Sequence, residues 1–307
     1  MRAAGWFVPA SLALAGCSAA SGPAGPVETV QALPAPAPTQ ARPAVPSTPP
    51  PLPGPASFVV DGALEQGGWI RGQVPGGTDR ARLGDQPLVF DSQGRFFAAF
   101  DRDAGPAAEL VAELRGGKRI VTPLAIKPRD WQVERVNVAR NISNPSAAFL
   151  ARRKPELAAI EAARTANSPT EGWRQGFVWP VTGRISGRFG SQRIYRGGEA
   201  GSYHSGIDIA PGAGVPFVAP ADGVVTLAAY DPFSLEGHLV IVDHGAGLNS
   251  AFLHASQIFV QVGQTVRQGD RIGLVGATGS ATGPHLHWSM KWNDARLDPL
   301  LFTGPMR

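Results

Sequence analysis

The sequence predicts a mainly β protein made of antiparallel sheets, with one short helical segment. Across its 307 residues, short apolar runs alternate with turns rich in Gly, Pro and Asp. The 38 glycines and 29 prolines favour turns and short strands over long helices. The absence of strand–helix alternation and of any Rossmann or P-loop pattern argues against a parallel α/β fold.

Residues 1–16 have the features of a signal peptide. The mostly apolar stretch Ala3–Leu14 is too short to span a bilayer, which needs about 20 residues. The tetrapeptide Leu14-Ala15-Gly16-Cys17 resembles the bacterial lipobox, in which the chain is cut before the cysteine and the thiol is lipidated. We therefore expect a membrane anchor on Cys17; the alternative is a plain signal peptide with a chance cysteine. By the same resemblance, Ser18 favours a periplasm-facing protein of the outer membrane over one of the inner membrane.

The lipidated Cys17 and the residues up to 56 are predicted to form a proline-rich tether. Twelve prolines lie between Pro23 and Pro55. Such a segment has little apolar surface to bury and leans to polyproline II, at about 3.1 Å per residue, so that it reaches on the order of 100 Å from a membrane. The alternative is a proline-rich ligand for a partner module.

Residues 57–127 are predicted to form a small β domain. Closely spaced short strands, joined by plausible hairpin turns at Asp91-Ser92-Gln93-Gly94 and Arg115-Gly116-Gly117-Lys118, suggest a sandwich that is immunoglobulin-like. No cluster of His or paired acids lies in this segment, so its expected role is structural.

Residues 128–176 are predicted to be a helical connector. A helix is expected over 145–166, capped by Asn144 with Pro145 in its first position. Pro155 is expected to break or kink it near Lys154.

Residues 177–307 are predicted to form a second antiparallel β domain. Gly and Asp punctuate six strand candidates there. These candidates are Val215–Val218, Gly223–Ala229, Leu239–Val242, Ser250–His254, Arg271–Val275 and Leu286–Trp292.

Charge and cysteine content limit the partners. The net charge is +4 and the pI is near 9.6, and the excess of basic residues is spread along the chain. This mild excess fits attraction to anionic polymers or membrane surfaces and gives no reason to expect a nucleic-acid partner. The single cysteine excludes an internal disulfide and Cys-rich zinc sites, so any metal must be held by His and carboxylate. The oligomeric state is not predicted.

All six histidines lie in the last third of the chain, which points to chemistry there. In a strand, His285 and His287 share a face about 6.6 Å apart and can converge on one centre. His204 and Asp208 lie four residues apart beside Gly206, and a bend at Ser205-Gly206 would bring them together. One carboxylate and two imidazoles make a plausible catalytic zinc set with a fourth position for water.

Several ordered motifs then give a family resemblance. The segment from about Pro180 to Pro299 resembles the LytM-type, lysostaphin-like zinc peptidases, the M23 metallopeptidase family. The motifs are Gly187-Arg188-Phe189-Gly190, His204-Ser205-Gly206-Ile207-Asp208, Val218-Ala219-Pro220-Ala221-Asp222-Gly223, Val242-Asp243-His244-Gly245 and Gly283-Pro284-His285-Leu286-His287-Trp288.

The resemblance implies roles for individual residues. His204, Asp208 and His287 would hold one Zn²⁺ ion per catalytic domain, with His285 and His254 beside the attacking water and the scissile carbonyl. Which of the two takes the proton stays open.

The resemblance also implies an activity. The protein would be a zinc metalloendopeptidase that hydrolyses peptide cross-links of peptidoglycan during cell wall remodelling. The family usually has Tyr where Phe252 stands, so the missing hydroxyl is expected to alter substrate contacts. His244 is expected to be a hydrogen-bonded turn residue, and His238 structural or exposed.

Other readings stay open at this point. They are a non-catalytic regulator of a separate amidase, a structural envelope lipoprotein, and a peptidase that acts on a protein or bacteriocin. The β domain of residues 57–127 would serve as a spacer, a wall-binding module or a cover. If that domain or the 145–166 helix covered the groove, the enzyme would be latent.

Overall fold

A computed structural model describes residues 53–137 and 145–306 of the chain. The predicted signal peptide 1–16, Cys17, most of the tether and Asn144 lie outside the described residues. Strands dominate and most pair antiparallel, which confirms the mainly β prediction. Within the described ranges, no helix is both long and apolar enough to cross a membrane.

The N-terminal region contains seven short antiparallel strands in two sheets. The first sheet has the order β1-β2-β5 and the second β4-β3-β6-β7. In constant-type immunoglobulin domains the fourth strand joins the first sheet, whereas here it joins the second, so the immunoglobulin-like assignment stays a prediction. The strands are β1 Val59–Gly62, β2 Trp69–Gln73, β3 Thr78–Leu83, β4 Gln86–Pro87, β5 Arg95–Ala99, β6 Ala107–Leu114 and β7 Arg119–Ala125.

Turn chemistry explains how these strands reverse. Before β5, the Asp91 carboxylate accepts hydrogen bonds from the backbone N–H groups of Gln93 and Arg95, while Gly94 takes a φ of +76° that favours glycine. Arg115-Gly116-Gly117-Lys118 joins β6 directly to its antiparallel partner β7. Both predicted turns are therefore confirmed.

The connector consists of β8 Val133–Arg135, helix α1 Ala147–Arg164 and a 3₁₀ turn Gly172–Arg174. The helix begins at Ala147, where the Ser146 hydroxyl accepts from the backbone N–H of Phe149 at 3.1 Å.

The expected break at Pro155 is wrong, since α1 continues through it. Arg152 and Arg153 pair with Glu156 across this turn, and Glu156 accepts from the backbone N–H and the hydroxyl of Ser234. These ion pairs within the helix and the tertiary hydrogen bonds to Ser234 offset the one helical hydrogen bond that proline removes.

The C-terminal region is built on an eight-stranded sheet. Its order is β17-β13-β14-β15-β19-β11-β9, with β20 paired to β19; a second sheet has the order β12-β18-β16, and β10 pairs in parallel with β8. A 3₁₀ turn Pro299–Leu301 follows the last strand. The strands are β9 Arg184–Gly187, β10 Gln192–Ile194, β11 Ile207–Ala210, β12 Pro216–Val218, β13 Gly223–Phe233, β14 Gly237–Gly245, β15 Leu248–Ala255, β16 Gln257–Ile258, β17 Thr265–Val266, β18 Arg271–Leu274, β19 Leu286–Trp292 and β20 Ala295–Leu297.

The two faces of the large sheet have different coverings. Ile207, Phe252 and Trp288 point to one face and belong to the main core, which also includes residues of the N-terminal sheets. On the other face, Ala163 of α1 packs with buried residues of β13, β14 and β15. Because residues two apart on a strand share a face, the α1 side of β19 is also the side of His287.

The core is continuous between the N-terminal and C-terminal regions. Phe302 packs on Trp69 of β2 and on Phe177, with ring centroids 5.2 Å apart in both pairs. The Trp69 indole N–H donates to the Leu301 carbonyl at 2.9 Å. The two β regions therefore share buried contacts instead of being joined by the connector alone.

Candidate metal centre

The first element of the site is a bend before β11. His204 lies in the loop and Asp208 on the strand, and Gly206 stands between them. A Cβ atom on Gly206 would lie 2.4 Å from the Trp288 carbonyl oxygen and 2.8 Å from Nε2 of His287. Only glycine fits this approach of loop to strand, and the bend expected at Ser205-Gly206 is confirmed.

Strand register supplies the second element. Asp208 on β11 is paired with His287 on β19 and, on its other side, with Gly187 on β9. A Cβ atom on Gly187 would lie 2.3 Å from Oδ2 of Asp208 and 3.0 Å from Cε1 of His204. The glycine thus leaves the space that these two side chains occupy.

Three ligand-type atoms form a nearly equilateral triangle. Nε2 of His204 lies 3.1 Å from Oδ1 of Asp208 and 3.1 Å from Nδ1 of His287, and the last two atoms are 2.9 Å apart. Bond lengths of about 2.0–2.2 Å to one ion suit such close spacing of three ligand atoms. In the described part of the chain, this is the group of His, Cys, Asp and Glu side chains that could hold a metal ion.

A backbone carbonyl orients the first imidazole. Nδ1 of His204 lies 3.0 Å from the carbonyl oxygen of Arg188 and donates to it, which leaves Nε2 facing Asp208. Sequence reasoning did not find this carbonyl, since any residue type supplies one.

Two further histidines border the triangle. Nε2 of His285 lies 3.6 Å from Oδ1 of Asp208, and Nδ1 donates to the Gly283 carbonyl at 2.8 Å. Nδ1 of His254 donates to the Thr278 carbonyl at 2.9 Å, and the His254 and His285 ring centroids are 4.8 Å apart. Both rings are held through Nδ1, so their Nε2 atoms remain for chemistry.

His254 has an unusual backbone. Its φ is +66°, a left-handed value that costs a non-glycine residue free energy and that often marks functional sites. Its N–H donates to the Glu236 carbonyl at 2.9 Å, which supports this conformation at the end of β15.

Burial and charge shift the pKa values of the site. Burial alone would raise the pKa of Asp208, but hydrogen bonds from His204 and His287 outweigh it and hold that pKa well below its usual range. Burial lowers the pKa values of His254 and His287, which favours neutral imidazoles. For His204, burial lowers the pKa, but the hydrogen bond and charge of Asp208 more than compensate and raise it.

A polar cavity of about 630 Å³ opens beside the triangle. His204 and Asp208 form one part of its wall, and the β9 and β10 segments form another. Gln132 and Glu134 from the connector complete it, so residues outside the C-terminal region contribute to the space next to the site.

The other singled-out residues lie elsewhere. His244 is fully buried on the opposite face, where Nδ1 donates to the Asp222 carbonyl and Nε2 accepts from the Ser250 hydroxyl, both at 2.8 Å. It is hydrogen-bonded as expected, although it lies within β14. His238 contacts the Ala229 carbonyl through Nδ1. Phe252 is fully buried against Phe217, and the expected effect of its missing hydroxyl on substrate contacts stays a prediction.

The five predicted residues His204, Asp208, His254, His285 and His287 thus lie around one point, and their chemical roles stay predictions. Cys17, the predicted lipidation site, lies outside the described residues.

Sequence comparison adds independent findings. Residues 202–299 match the sequence family described as peptidase family M23. Over 107 residues the chain is 39% identical to the peptidoglycan DD-endopeptidase ShyA of Vibrio cholerae, covering 35% of this chain and 24% of that protein. Over 126 residues it is 37% identical to an uncharacterized metalloprotease of Haemophilus influenzae, covering 41% of this chain and 23% of that one. The chain thus spans about a quarter of the length of these relatives.

A solved structure matches over a greater length. The crystal structure of an M23 peptidase candidate from Pseudomonas aeruginosa aligns with a TM-score of 0.59 and 31% identity. The alignment covers 79% of this chain and 96% of that chain, and so includes regions on both sides of the connector. A relative of this identity, matched over nearly its whole length, shows that the chain belongs to peptidase family M23.

Proposed function

We propose that the protein is a zinc metalloendopeptidase that hydrolyses the peptide cross-links of bacterial peptidoglycan. The observation that carries this proposal is the triangle of His204, Asp208 and His287 with two further imidazoles at its edge. The activity named for the related ShyA supports the substrate class. Membership of the M23 family supports a metal-dependent peptidase.

The donor set fits one Zn²⁺ ion. Two imidazole nitrogens and one carboxylate oxygen are ligands that zinc prefers, and the neighbouring cavity leaves room for a fourth, non-protein ligand. A Zn²⁺ ion held by His204, Asp208 and His287 would supply a Lewis acid that polarises the scissile carbonyl and makes water more acidic.

The two remaining histidines would handle protons and charge. Nε2 of one of His254 and His285 accepts the proton of the attacking water. The other ring acts as an imidazolium: its Nδ1–H stays on the backbone carbonyl, and its Nε2–H donates to the oxyanion that develops on the scissile carbonyl. The pKa of His254, lowered by burial, keeps this ring neutral near pH 7, the form that can accept a proton. The carbonyls of Thr278 and Gly283 accept hydrogen bonds from Nδ1 of the two rings and so fix the orientation in which each Nε2 is free for these roles.

One experiment tests the activity. The chain from residue 18 onward, loaded with Zn²⁺, is incubated with whole peptidoglycan with and without chelator, and the released products are identified by mass. We expect chelator-sensitive release of fragments cut at one peptide bond. Intact peptidoglycan after incubation with zinc-loaded protein would contradict the proposal and favour the regulator or structural lipoprotein, whereas cleavage in a panel of proteins alone would favour a different substrate.

The location is part of the proposal. We propose a periplasm-facing lipoprotein anchored through Cys17, in the outer rather than the inner membrane. The lipobox-like Leu14-Ala15-Gly16-Cys17 and the following Ser18 support it. Several acyl chains on one cysteine give firm anchoring, since each buried CH₂ contributes about 0.8 kcal/mol. In cells fed a fatty acid with a chemical tag, the wild-type chain should carry the tag in the outer-membrane fraction and Cys17→Ala should not; tagging of both would contradict the assignment.

A further inference from the structure

Arg102 is a buried cation of the N-terminal region that reaches the metal-site loops. Its side chain is 8% exposed. Its Nε and Nη2 donate to the Gly190 carbonyl at 3.3 and 3.0 Å, and Nη2 also lies 3.2 Å from Oε1 of Gln192. Its carboxylate partner is Asp103 at 2.6 Å, which is 61% exposed. Most of its hydrogen bonding is therefore directed at the segment 190–192, almost ninety residues further along the chain.

Two aromatic rings enclose the Arg102 guanidinium. It lies 4.6 Å from the Tyr203 ring centroid and 5.3 Å from that of Trp131. Arg129 lies 4.5 Å from the Trp131 ring on one end, and Arg296 lies 5.4 Å from the Tyr203 ring on the other. We name Arg129, Trp131, Arg102, Tyr203 and Arg296 the cation–aromatic ladder. A cation over an aromatic face is attracted by the charge distribution of the ring, and this attraction is stronger where the pair is shielded from water, as it is for Arg102.

The ladder leads directly to His204. The Gly190 N–H donates to the His204 carbonyl at 2.9 Å, and the His204 N–H donates to the Ser191 carbonyl at 2.8 Å. Both backbone groups of His204 are thus bonded to the segment that Arg102 holds. Tyr203, the neighbouring residue in the chain, is a member of the ladder.

Trp131 limits movement of the same segment from the other side. A Cβ atom on Gly190 would lie 2.2 Å from the Trp131 indole, and Gly190 has a φ of +79°. The Trp131 indole N–H donates to Oε1 of Gln66 at 3.2 Å, which ties the ring to the N-terminal region.

We propose that Arg102 is a positioning residue for the metal site. By holding segment 190–192 and Tyr203, it fixes the backbone of His204 so that Nε2 faces Asp208 and His287. The N-terminal region then helps to fix the geometry of the metal site and is not only a spacer or cover. This inference rests on the proposed function in one respect, that His204 is a metal ligand.

Metal affinity tests the proposal without an activity assay. Zn²⁺ affinity is measured on the chain from residue 18 onward by competition with a chromophoric chelator, and the visible absorption of the Co²⁺-loaded protein reports ligand geometry. We expect Arg102→Ala to weaken metal binding about 10- to 100-fold, the loss typical of groups that orient a ligand, and to alter the Co²⁺ spectrum. Arg102→Lys should lie in between, because an ammonium keeps the charge but not the planar fork and stacking.

Matched variants separate positioning from general stability. Arg80, 82% exposed on β3, gives the control Arg80→Ala, which should bind metal like wild type. A folded Arg102→Ala protein with affinity within twofold of wild type and an unchanged Co²⁺ spectrum would overturn the proposal. If Arg102→Ala does not fold, Arg102→Lys and Tyr203→Leu decide in the same way: unchanged affinity in both overturns it. If the wild-type chain does not bind metal, both the metal site and the positioning role of Arg102 are wrong. If the wild-type chain binds metal and the Arg102 and Tyr203 variants bind it equally well, only the positioning role is wrong.

Discussion

Asp208 on β11 and His287 on β19 are directly paired across neighbouring strands, and Oδ1 of the first lies 2.9 Å from Nδ1 of the second. Side chains of paired residues point to the same face of a sheet. A shift of the register by one residue would turn one of the two side chains into the main core. The geometry of the site therefore depends on the pairing of β11 with β19.

Removing the carboxylate should remove the metal. Asp208→Ala takes away one of three ligand atoms and its charge, so we expect no stoichiometric Zn²⁺ after dialysis and no hydrolysis of peptidoglycan. Metal content per chain and fragment release are the measurements. Asp294→Ala, at a side chain that is 93% exposed, is the control and should resemble wild type. An Asp208→Ala protein with one zinc ion and full hydrolysis would disprove the ligand assignment.

Adding one methyl group beside the site should have a similar effect. The Cβ of Gly187→Ala would lie 2.3 Å from Oδ2 of Asp208, so the carboxylate must move. We expect Zn²⁺ affinity to fall at least about tenfold, as for lost orientation of a ligand, while the far-ultraviolet circular dichroism stays the same. Gly105→Ala places its methyl group in open space and should bind zinc normally. Equal affinity in both variants would mean that the site tolerates the displacement.

The two bordering histidines should be needed for the reaction and not for metal binding. His254→Ala and His285→Ala each leave the three ligand atoms in place, so zinc content should stay at one per chain. Loss of a proton-transfer group should lower the hydrolysis rate by about 10²- to 10⁴-fold. His238→Ala, which removes a histidine outside the site, is the matched control. Normal rates in both test variants would assign the chemistry to other groups.

His244 should make the metal-free protein less stable in acid. Burial lowers its pKa from 6.5 to about 4. Between pH 6.5 and pH 4, His244 is therefore protonated in the unfolded chain and neutral in the folded protein. The stabilisation is complete above pH 6.5 and is lost as the pH falls towards 4, up to about 3 kcal/mol.

Urea unfolding at pH 7.5 and pH 5 measures this dependence. His244→Gln should be less stable than wild type at pH 7.5 and should lose less free energy of unfolding on going to pH 5. Chelator in both series removes any contribution from bound metal. An identical loss in the two proteins would show that other groups cause the acid sensitivity.

The docking of α1 should depend on one buried ion pair. Arg153, 12% exposed, makes two contacts of 2.5 and 2.6 Å with the Glu236 carboxylate. Arg153→Met leaves Glu236 without its main partner, so we expect about 3 kcal/mol of lost stability in urea unfolding. Arg152→Met, at a side chain that is 62% exposed, should cost much less.

The same variant tests latency, because α1 lies on the sheet face that carries His287. If the helix covers the groove, Arg153→Met should hydrolyse peptidoglycan faster than wild type even though it is less stable. A rate that falls with stability would mean that α1 supports the site, in keeping with the hydrogen bond from His254 to the Glu236 carbonyl.

The sequence predicts the long elements and the side chains of the site well, because both depend on local patterns. Leu286–Trp292 matches β19 with both bounds, and a bend at Gly206 follows from the need to bring His204 to Asp208. The short edge strands are harder to predict. The parallel pairing of β8 with β10 joins segments that are far apart in the chain and carry no hydrophobic alternation.

The supporting groups could not be predicted for a different reason. The Arg188 and Thr278 carbonyls hold His204 and His254, but backbone carbonyls leave no signature in a sequence. Arg102 resembles any surface arginine until the fold places it between Trp131 and Tyr203. Pro155 shows the opposite case. Its helix-breaking preference is strong in the sequence, yet α1 continues through it because contacts made by neighbouring residues stabilise the helix.

The packing of Phe302 on Trp69 determines the order in which the molecule can be completed. Trp69 is made early in synthesis, whereas the carbonyl that accepts its indole N–H is 232 residues later in the chain. Until that segment arrives, the N-terminal sheets present an aromatic surface to water and to other chains. The 3₁₀ turn Pro299–Leu301 and the following Phe302 therefore close this surface late: Trp69 gains its hydrogen-bond partner and its aromatic cover only after residue 302 has been added to the chain.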